Sequence, residues 1–287
     1  MRKGEGVNII TFDDVSLAVE EFGDRGNPPV VLIAGATQSK DWWPRELCEA
    51  LAGEGLYVIR YDQRDTGEST TSPPARPDYT GRDLATDPLR ILDALGLESA
   101  HMVGLSMGGG IAQYLGVYAA ARVRTLTLIE SSPAGGEPGD LPAPAASLVA
   151  AESALPEVED WTDTLAVVDY RVEAERPYAG SFGFDEERFR AIATEEARRS
   201  RNMESSMRNH FLVEATGETD PSLITAPTLI FHSDTDPLFP LPHGEALARM
   251  IPDSTLVRLD GIGHEVPPPQ VWDVVVPALS DHVRRAG

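Results

Sequence analysis

Ser106 sits in Gly104-Leu105-Ser106-Met107-Gly108, between the apolar run His101-Met102-Val103 and a helical stretch that opens with Gly109-Gly110. A serine at a strand-to-helix turn is held in a strained backbone conformation that exposes its Oγ, and so tight a turn needs small residues two places to either side. The helix N-terminus behind it favours developing negative charge. These residue types in this order point to a nucleophile, and a serine nucleophile needs a base to take its proton. Of the six histidines, His101 lies within the strand leading to Ser106, His232 ends a strand, His243 begins a helix, His210 falls in a central helical region and His282 in the last helix. His264 is different. It follows the apolar run 256–259 in the loop Gly261-Ile262-Gly263-His264, whose glycines let the chain bend back over a sheet edge. The acid that orients such a base should lie in Ser233-Asp234-Thr235-Asp236-Pro237, the loop after the run 229–231. Asp236, held extended by Pro237, is preferred; Asp234 suits turn hydrogen bonds better, and Glu130, ending the preceding strand, ranks third. For the oxyanion of acyl transfer, Met107 N–H is one donor, and Ala36 N–H, in the loop Ala34-Gly35-Ala36-Thr37, is favoured as the other.

The elements that must position these residues can be read from apolar runs and turn signals. Residues 7–12 and 16–22 predict a hairpin around Asp13-Asp14, and Val30-Val31-Leu32-Ile33 a strand buried on both faces. Further strands are predicted at 57–61, 100–104, 124–129, 228–232 and 255–259, which makes eight. Helices are predicted at 43–52, 80–95 (capped by Thr80, with Pro88 kinking or restarting it), 107–120, 243–250 and 270–283. Strand and helix alternate, so the fold class is α/β with a mostly parallel sheet. Residues 133–222 break the rhythm. A Gly/Pro/Ala-rich opening leads into helical patterns with Trp161, Tyr170, Tyr178, Phe182, Phe184 and Phe211 to bury, so an inserted helical cap is expected there, with 1–132 and 223–287 forming the core. Such a cap lies over the strand ends, where open sheets bind ligands.

Composition excludes several classes. The 287 residues suffice for a large core, and 46 acidic against 24 basic residues give a formal charge of −22, which repels nucleic acid and anionic membranes. The acidic residues are scattered, as on a solubilising surface. One cysteine, Cys48, permits neither an intramolecular disulfide nor a thiolate metal cluster, and is expected in the core. The basic start Met1-Arg2-Lys3 is followed by no apolar h-region and no stretch reaches membrane-span length, so a cytoplasmic protein is expected. A small-molecule ester is the expected partner, with no cofactor and no metal.

Together these residues resemble the α/β-hydrolase fold superfamily over nearly the whole chain. Within it the sequence is similar to the aclacinomycin methylesterases, through Val58-Ile59-Arg60-Tyr61-Asp62-Gln63-Arg64-Asp65-Thr66-Gly67-Glu68-Ser69-Thr70, the segment 103–108, Asp236-Pro237 with Pro242-His243-Gly244, and Trp43-Pro44. Asp65-Thr66 is the most discriminating of these, since most relatives carry glycine at its first position. The resemblance implies an eight-stranded α/β-hydrolase fold with a cap, and hydrolysis of a carbomethoxy ester on a glycosylated tetracyclic substrate without a cofactor. It implies Ser106, Asp236 and His264 as the triad, and the backbone of Ala36 and Met107 as the oxyanion hole. Ala36 stands where the family usually has glycine, although only its N–H is required. The cap resembles the family much less. Trp42 and Trp43 beside the oxyanion loop, and Trp161, Tyr178 and Phe184 from the cap, are candidates to line a pocket for a flat or bulky apolar acyl group; Met203 and Met207, one helical turn apart, read as core. Rival activities with the same triad are a cofactor-free haloperoxidase or perhydrolase, an amidase or iminopeptidase, a lactonase and a carbon–carbon bond hydrolase. A ligand sensor on a hydrolase scaffold is the rival from outside catalysis.

Overall fold

In the computed structural model, residues 7–213, 217 and 219–286 are described; the Met1-Arg2-Lys3 start lies outside them. The chain opens with β1 (Asn8–Phe12) and β2 (Val15–Phe22), paired antiparallel as a hairpin. Then follow β3 (Pro29–Ile33), α1 (Arg45–Gly53), β4 (Tyr57–Tyr61), α2 (Gly81–Leu95), β5 (Ala100–Leu105), α3 (Met107–Tyr118) and β6 (Val123–Ile129). After four helices, α4 (Ala146–Ala154), α5 (Thr164–Glu175), α6 (Glu186–Arg199) and α7 (Met203–Arg208), the chain returns with β7 (Thr228–His232), α8 (Pro242–Met250), β8 (Ser254–Arg258) and α9 (Trp272–Arg285). The sheet has eight strands in the order β1-β2-β4-β3-β5-β6-β7-β8, with β3 to β8 mutually parallel. Among the described residues no helix is long and apolar enough to cross a membrane.

Period-2 alternation divides the apolar strands between two cores. Val31, Ile59, Met102 and Ile230 face α2, α3 and α8 through Ile91, Leu115 and Leu247. Val30, Leu32, Val58 and Phe231 face α1 and α9 through Leu47, Leu51, Val275 and Leu279. Each fully buried aliphatic side chain contributes roughly 1.5–3 kcal/mol, so the parallel strands carry much of the core's stabilisation. Cys48 is in the second core, where burial pushes its thiol up to about 12 and leaves it inert.

Two expectations are corrected. Residues 43 and 44 are not helical: Pro44 caps α1, and a short 3₁₀ turn, Lys40–Trp42, leads into it. α2 does not restart at Pro88 but continues past it as one helix, with a Thr80–Asp83 capping box fixing its start and buried Leu84, Ala85, Ile91 and Leu92 holding it to the sheet. Between β6 and β7 the described residues form helices and no strand, and α5 and α6 pack through Val168, Val172 and Ala193 with Phe184 alongside.

Candidate active site

Ser106 occupies the turn between β5 and α3 with φ 52° and ψ −117°. Backbone contacts enforce this left-handed conformation: Ser106 N–H donates to Ile129 O at 3.0 Å, and Gly109 N–H donates to Ser106 O at 2.9 Å. The glycines at either side leave no room for a side chain. A Cβ on Gly104 would stand 2.2 Å from Gly108 O, and one on Gly108 2.3 Å from Ile33 O.

His264 and Asp236 are delivered from the ends of β8 and β7. His264 Nδ1 lies 2.8 Å from Asp236 Oδ2, which fixes Nδ1–H as donor and leaves Nε2 as the basic nitrogen. Leu238 N–H and Phe239 N–H donate to Asp236 Oδ1 at 2.7 and 2.9 Å. Burial pushes the Asp236 carboxyl up, but the charge and hydrogen bond of His264 together with further hydrogen bonds outweigh it and hold the group below its usual range. The imidazole is clamped between Tyr178, at 5.9 Å between ring centroids, and Phe239, edge-on at 5.4 Å. Among the described residues neither Ser106 Oγ nor His264 Nε2 is bonded to another protein group. The other histidines are engaged elsewhere: His101 with Thr125, His243 with Ser132 and Pro142, and His210, His232 and His282 with backbone carbonyls. Asp234, expected to make turn hydrogen bonds, instead accepts Gly261 N–H at 3.2 Å from the loop after β8.

The loop after β3 completes the centre. A Cβ on Gly35 would lie 3.6 Å from Ser106 Cβ, so Ala36 is carried directly alongside the serine. Met107 is the first residue of α3, and among the described residues neither its N–H nor that of Ala36 has a protein acceptor. The loop is pinned from both sides. Gln63 Nε2 donates to Ala34 O and Gly35 O at 3.0 and 3.2 Å, and Gln38 Oε1 accepts Gly35 N–H at 3.1 Å. From beyond α7, His210 Nδ1 accepts Thr37 N–H at 2.9 Å while its Nε2–H donates to Arg64 O at 2.8 Å. That pattern requires a neutral ring, and burial lowers its pKa accordingly.

Ser106 and His264 open on one cavity of about 250 Å³, walled by Ala36, Leu155, Tyr170, Tyr178, Phe211 and Leu238 among others. Of the five aromatics expected there, only Tyr178 lines it. Trp43 is consumed by the core against α1. Trp42 is buried with its Nε1–H on Glu196 at 2.9 Å and the Arg171 guanidinium 4.3 Å above its ring. Trp161 packs edge-on against Tyr170 and faces a different groove, and Phe184 stacks on Phe189 at 4.6 Å within the helical segment. Met207, expected in the core, lines the cavity. Several lining residues were not among those expected in the pocket: Tyr170 and Phe211, read only as aromatics to bury, and Gln38, Glu152, Arg171 and Glu175, the last two a buried ion pair at 2.6 Å in the wall. Glu196 ties α6 to the loop after β3 by accepting Ser39 N–H at 3.0 Å. Its signal, a glutamate on the apolar side of a charged helix, is too common to single out.

Asp65, the residue that marks the resemblance, is structural. With φ 66° it accepts Tyr79 O–H at 2.6 Å, Asn209 Nδ2–H at 2.8 Å and Ser72 N–H at 2.6 Å, and so fastens the loop after β4 to α7.

A strained serine at the β5–α3 turn, with its histidine and carboxylate from later strands of a parallel sheet, defines a class. The family model described as alpha/beta hydrolase fold matches residues 28–268, and the chain belongs to that family. It is 33% identical to the rhodomycin D methylesterase of Streptomyces sp. strain C5, over 97% of this chain and 98% of that protein. It is 32% identical to the rhodomycin D methylesterase of Streptomyces peucetius over the same shares. Among solved structures, an esterase from Rhodococcus sp. ECU1013 superposes with TM-score 0.75 at 20% identity, covering 97% and 98% of the two chains. The enol-lactonase of Burkholderia xenovorans LB400 gives 0.74 at 21%, covering 96% and 100%. Family and relatives make the chain a carboxylic ester hydrolase.

Proposed function

We propose that this hydrolase cleaves the methyl ester of a polyketide-like substrate through an acyl-enzyme on Ser106. The carrying observation is the His264–Asp236 pair at 2.8 Å and a strained Ser106 whose Oγ is unbonded, both on an aromatic cavity, in a chain related over its length to methylesterases. His264 Nε2 takes the Ser106 proton as Oγ attacks the ester carbonyl. Ala36 N–H and Met107 N–H receive the oxyanion, each worth roughly 3–4 kcal/mol of transition-state stabilisation. As the intermediate collapses and the C–O bond breaks, His264 hands the proton to the departing methoxide oxygen, which leaves as methanol, and water releases the acid by the reverse sequence. Asp236 keeps Nδ1 protonated throughout and balances the imidazolium.

Residues 133–222 act in this reading as a cap that selects the substrate. Tyr170, Tyr178 and Phe211 offer flat apolar surface around the ester-bearing ring, and the cavity mouth leaves the rest of a larger molecule outside. The test is a panel of polyketide methyl esters against short- and long-chain acyl esters and lactones. Preference for the polyketide methyl esters, with methanol released, supports the proposal; preference for a lactone or a straight-chain acyl ester overturns its substrate.

A further inference from the structure

Glu130 is left unexplained by the triad. It follows β6 directly with φ 40°, is 0% exposed, and its N–H donates to Phe231 O at 3.1 Å, which locks it beside the strand that leads to Asp236. One oxygen or nitrogen from each of Glu130, His232 and Asp236 lies within 4.8 Å of the other two. His232 Nε2 is 3.6 Å from Glu130 Oε2, but its hydrogen is committed to Phe239 O at 2.7 Å. Ser233 N–H offers a polar contact, yet neither Glu130 oxygen has a well-formed hydrogen bond from a protein donor.

An ionised carboxyl in that position would be buried, without a good donor, and facing a second carboxylate. A protonated one has a donor, and Asp236 can accept it. A carboxylate has about four lone-pair sites, and Asp236 fills three with Leu238 N–H, Phe239 N–H and His264 Nδ1–H. One remains. We propose that Glu130 is a positioning residue of the triad, holding its proton and donating it to the Asp236 carboxylate so that the oxygen facing His264 is fixed. Two carboxyls then share one proton and the site carries a single negative charge. The charged or titratable groups facing Glu130 agree with this. Burial and then the charge of Asp236 push its carboxyl well above the usual range, and Glu265 adds in the same direction. His232 is held neutral by burial.

The proposal rests on the Ser106–His264–Asp236 reading, and its test separates the two. Wild type, Glu130→Gln and Glu130→Leu are titrated with a fluorophosphonate so that rates are expressed per labelled serine. Gln keeps an N–H for Asp236 and Leu does not. Leu is expected to lower kcat about ten- to hundredfold with little change in KM, as for loss of a hydrogen bond to a charged group, and Gln to restore most of that loss. The acid limb of kcat/KM should coincide in Gln and wild type, since no charge is removed. The infrared spectrum at pH 7 should lose a protonated-carboxyl C=O band in Glu130→Gln. Equal rates in Gln and Leu, an acid limb displaced to lower pH in Gln, or no band lost would each overturn the proposal. Should Leu fail to fold, the Gln profile and the infrared band still decide. Failure of the wild type to label would instead overturn the triad itself.

Discussion

At the residue scale the site works through separation of protonation tasks. Ser106→Ala removes the side-chain hydroxyl of the elbow and should fold normally yet retain almost no turnover of p-nitrophenyl acetate, measured against wild type at equal concentration. Asp236→Asn should lower kcat by about 10⁴, because an amide N–H opposite Nδ1 favours the tautomer that puts the proton on Nε2; a circular dichroism melt within a few degrees of wild type would show that the loss is chemical. That Ser106, His264 and Asp236 come together was legible because each sits in a short segment whose spacing encodes its geometry: glycines two places from the serine, glycines before the histidine, a proline after the aspartate. Trp42, Trp43, Trp161 and Phe184 were not. An aromatic near the site in sequence serves a cavity or a neighbouring helix equally well, and only tertiary packing decides; here the core, Glu196 and Phe189 claim them. His210 and Glu196 were missed for a related reason, since their partners Thr37 and Ser39 are 173 and 157 residues away in the chain.

At the element scale, α3 and the loop after β3 form one unit with the strands beneath. Gly108→Ala would press a methyl into Ile33 O and Ala34 O, both backbone atoms, and is expected to cost more than about 1–3 kcal/mol of the kind seen for overpacked cores, read as a lowered urea midpoint with unchanged slope. His210→Ala removes the acceptor of Thr37 N–H and frees the loop that carries Ala36. It should lower kcat more than it raises KM in steady-state assays if Ala36 N–H serves the oxyanion as proposed, since such a donor acts on the transition state. The strands were readable from alternation and from fully apolar runs, including the parallel set. α2 was less so, because Pro88 argues locally for a break that capping and burial override.

At the scale of the whole molecule, charge and buried histidines set the response to solution conditions. With a formal charge of −22, self-repulsion is screened by salt, so raising NaCl from 20 to about 500 mM at pH 8 should raise the Tm in calorimetry. His101 is held down to about 4 by burial, with Arg124 and His282 adding, and burial lowers His210, His232 and His282 as well. A base whose folded pKa is depressed is protonated first in the unfolded chain. The stability it contributes is complete above about pH 6.5 and is lost as pH falls toward the folded value. Urea midpoints should therefore decline from pH 7 to 5.5, a window in which ordinary carboxylates remain ionised, and His101→Phe should flatten part of that decline. The histidine loop has one more consequence. His264 N–H donates to Tyr178 O at 2.9 Å, Phe182 N–H to Gly261 O at 3.0 Å, and Gly263 lies so close that a Cβ there would stand 2.0 Å from Tyr178 O. The helical segment and the loop of His264 are thus stitched along one seam. Transplanting the segment onto a related core, as an engineer would to change selectivity, must carry residues 261–264 with it, or the graft arrives without a seated base.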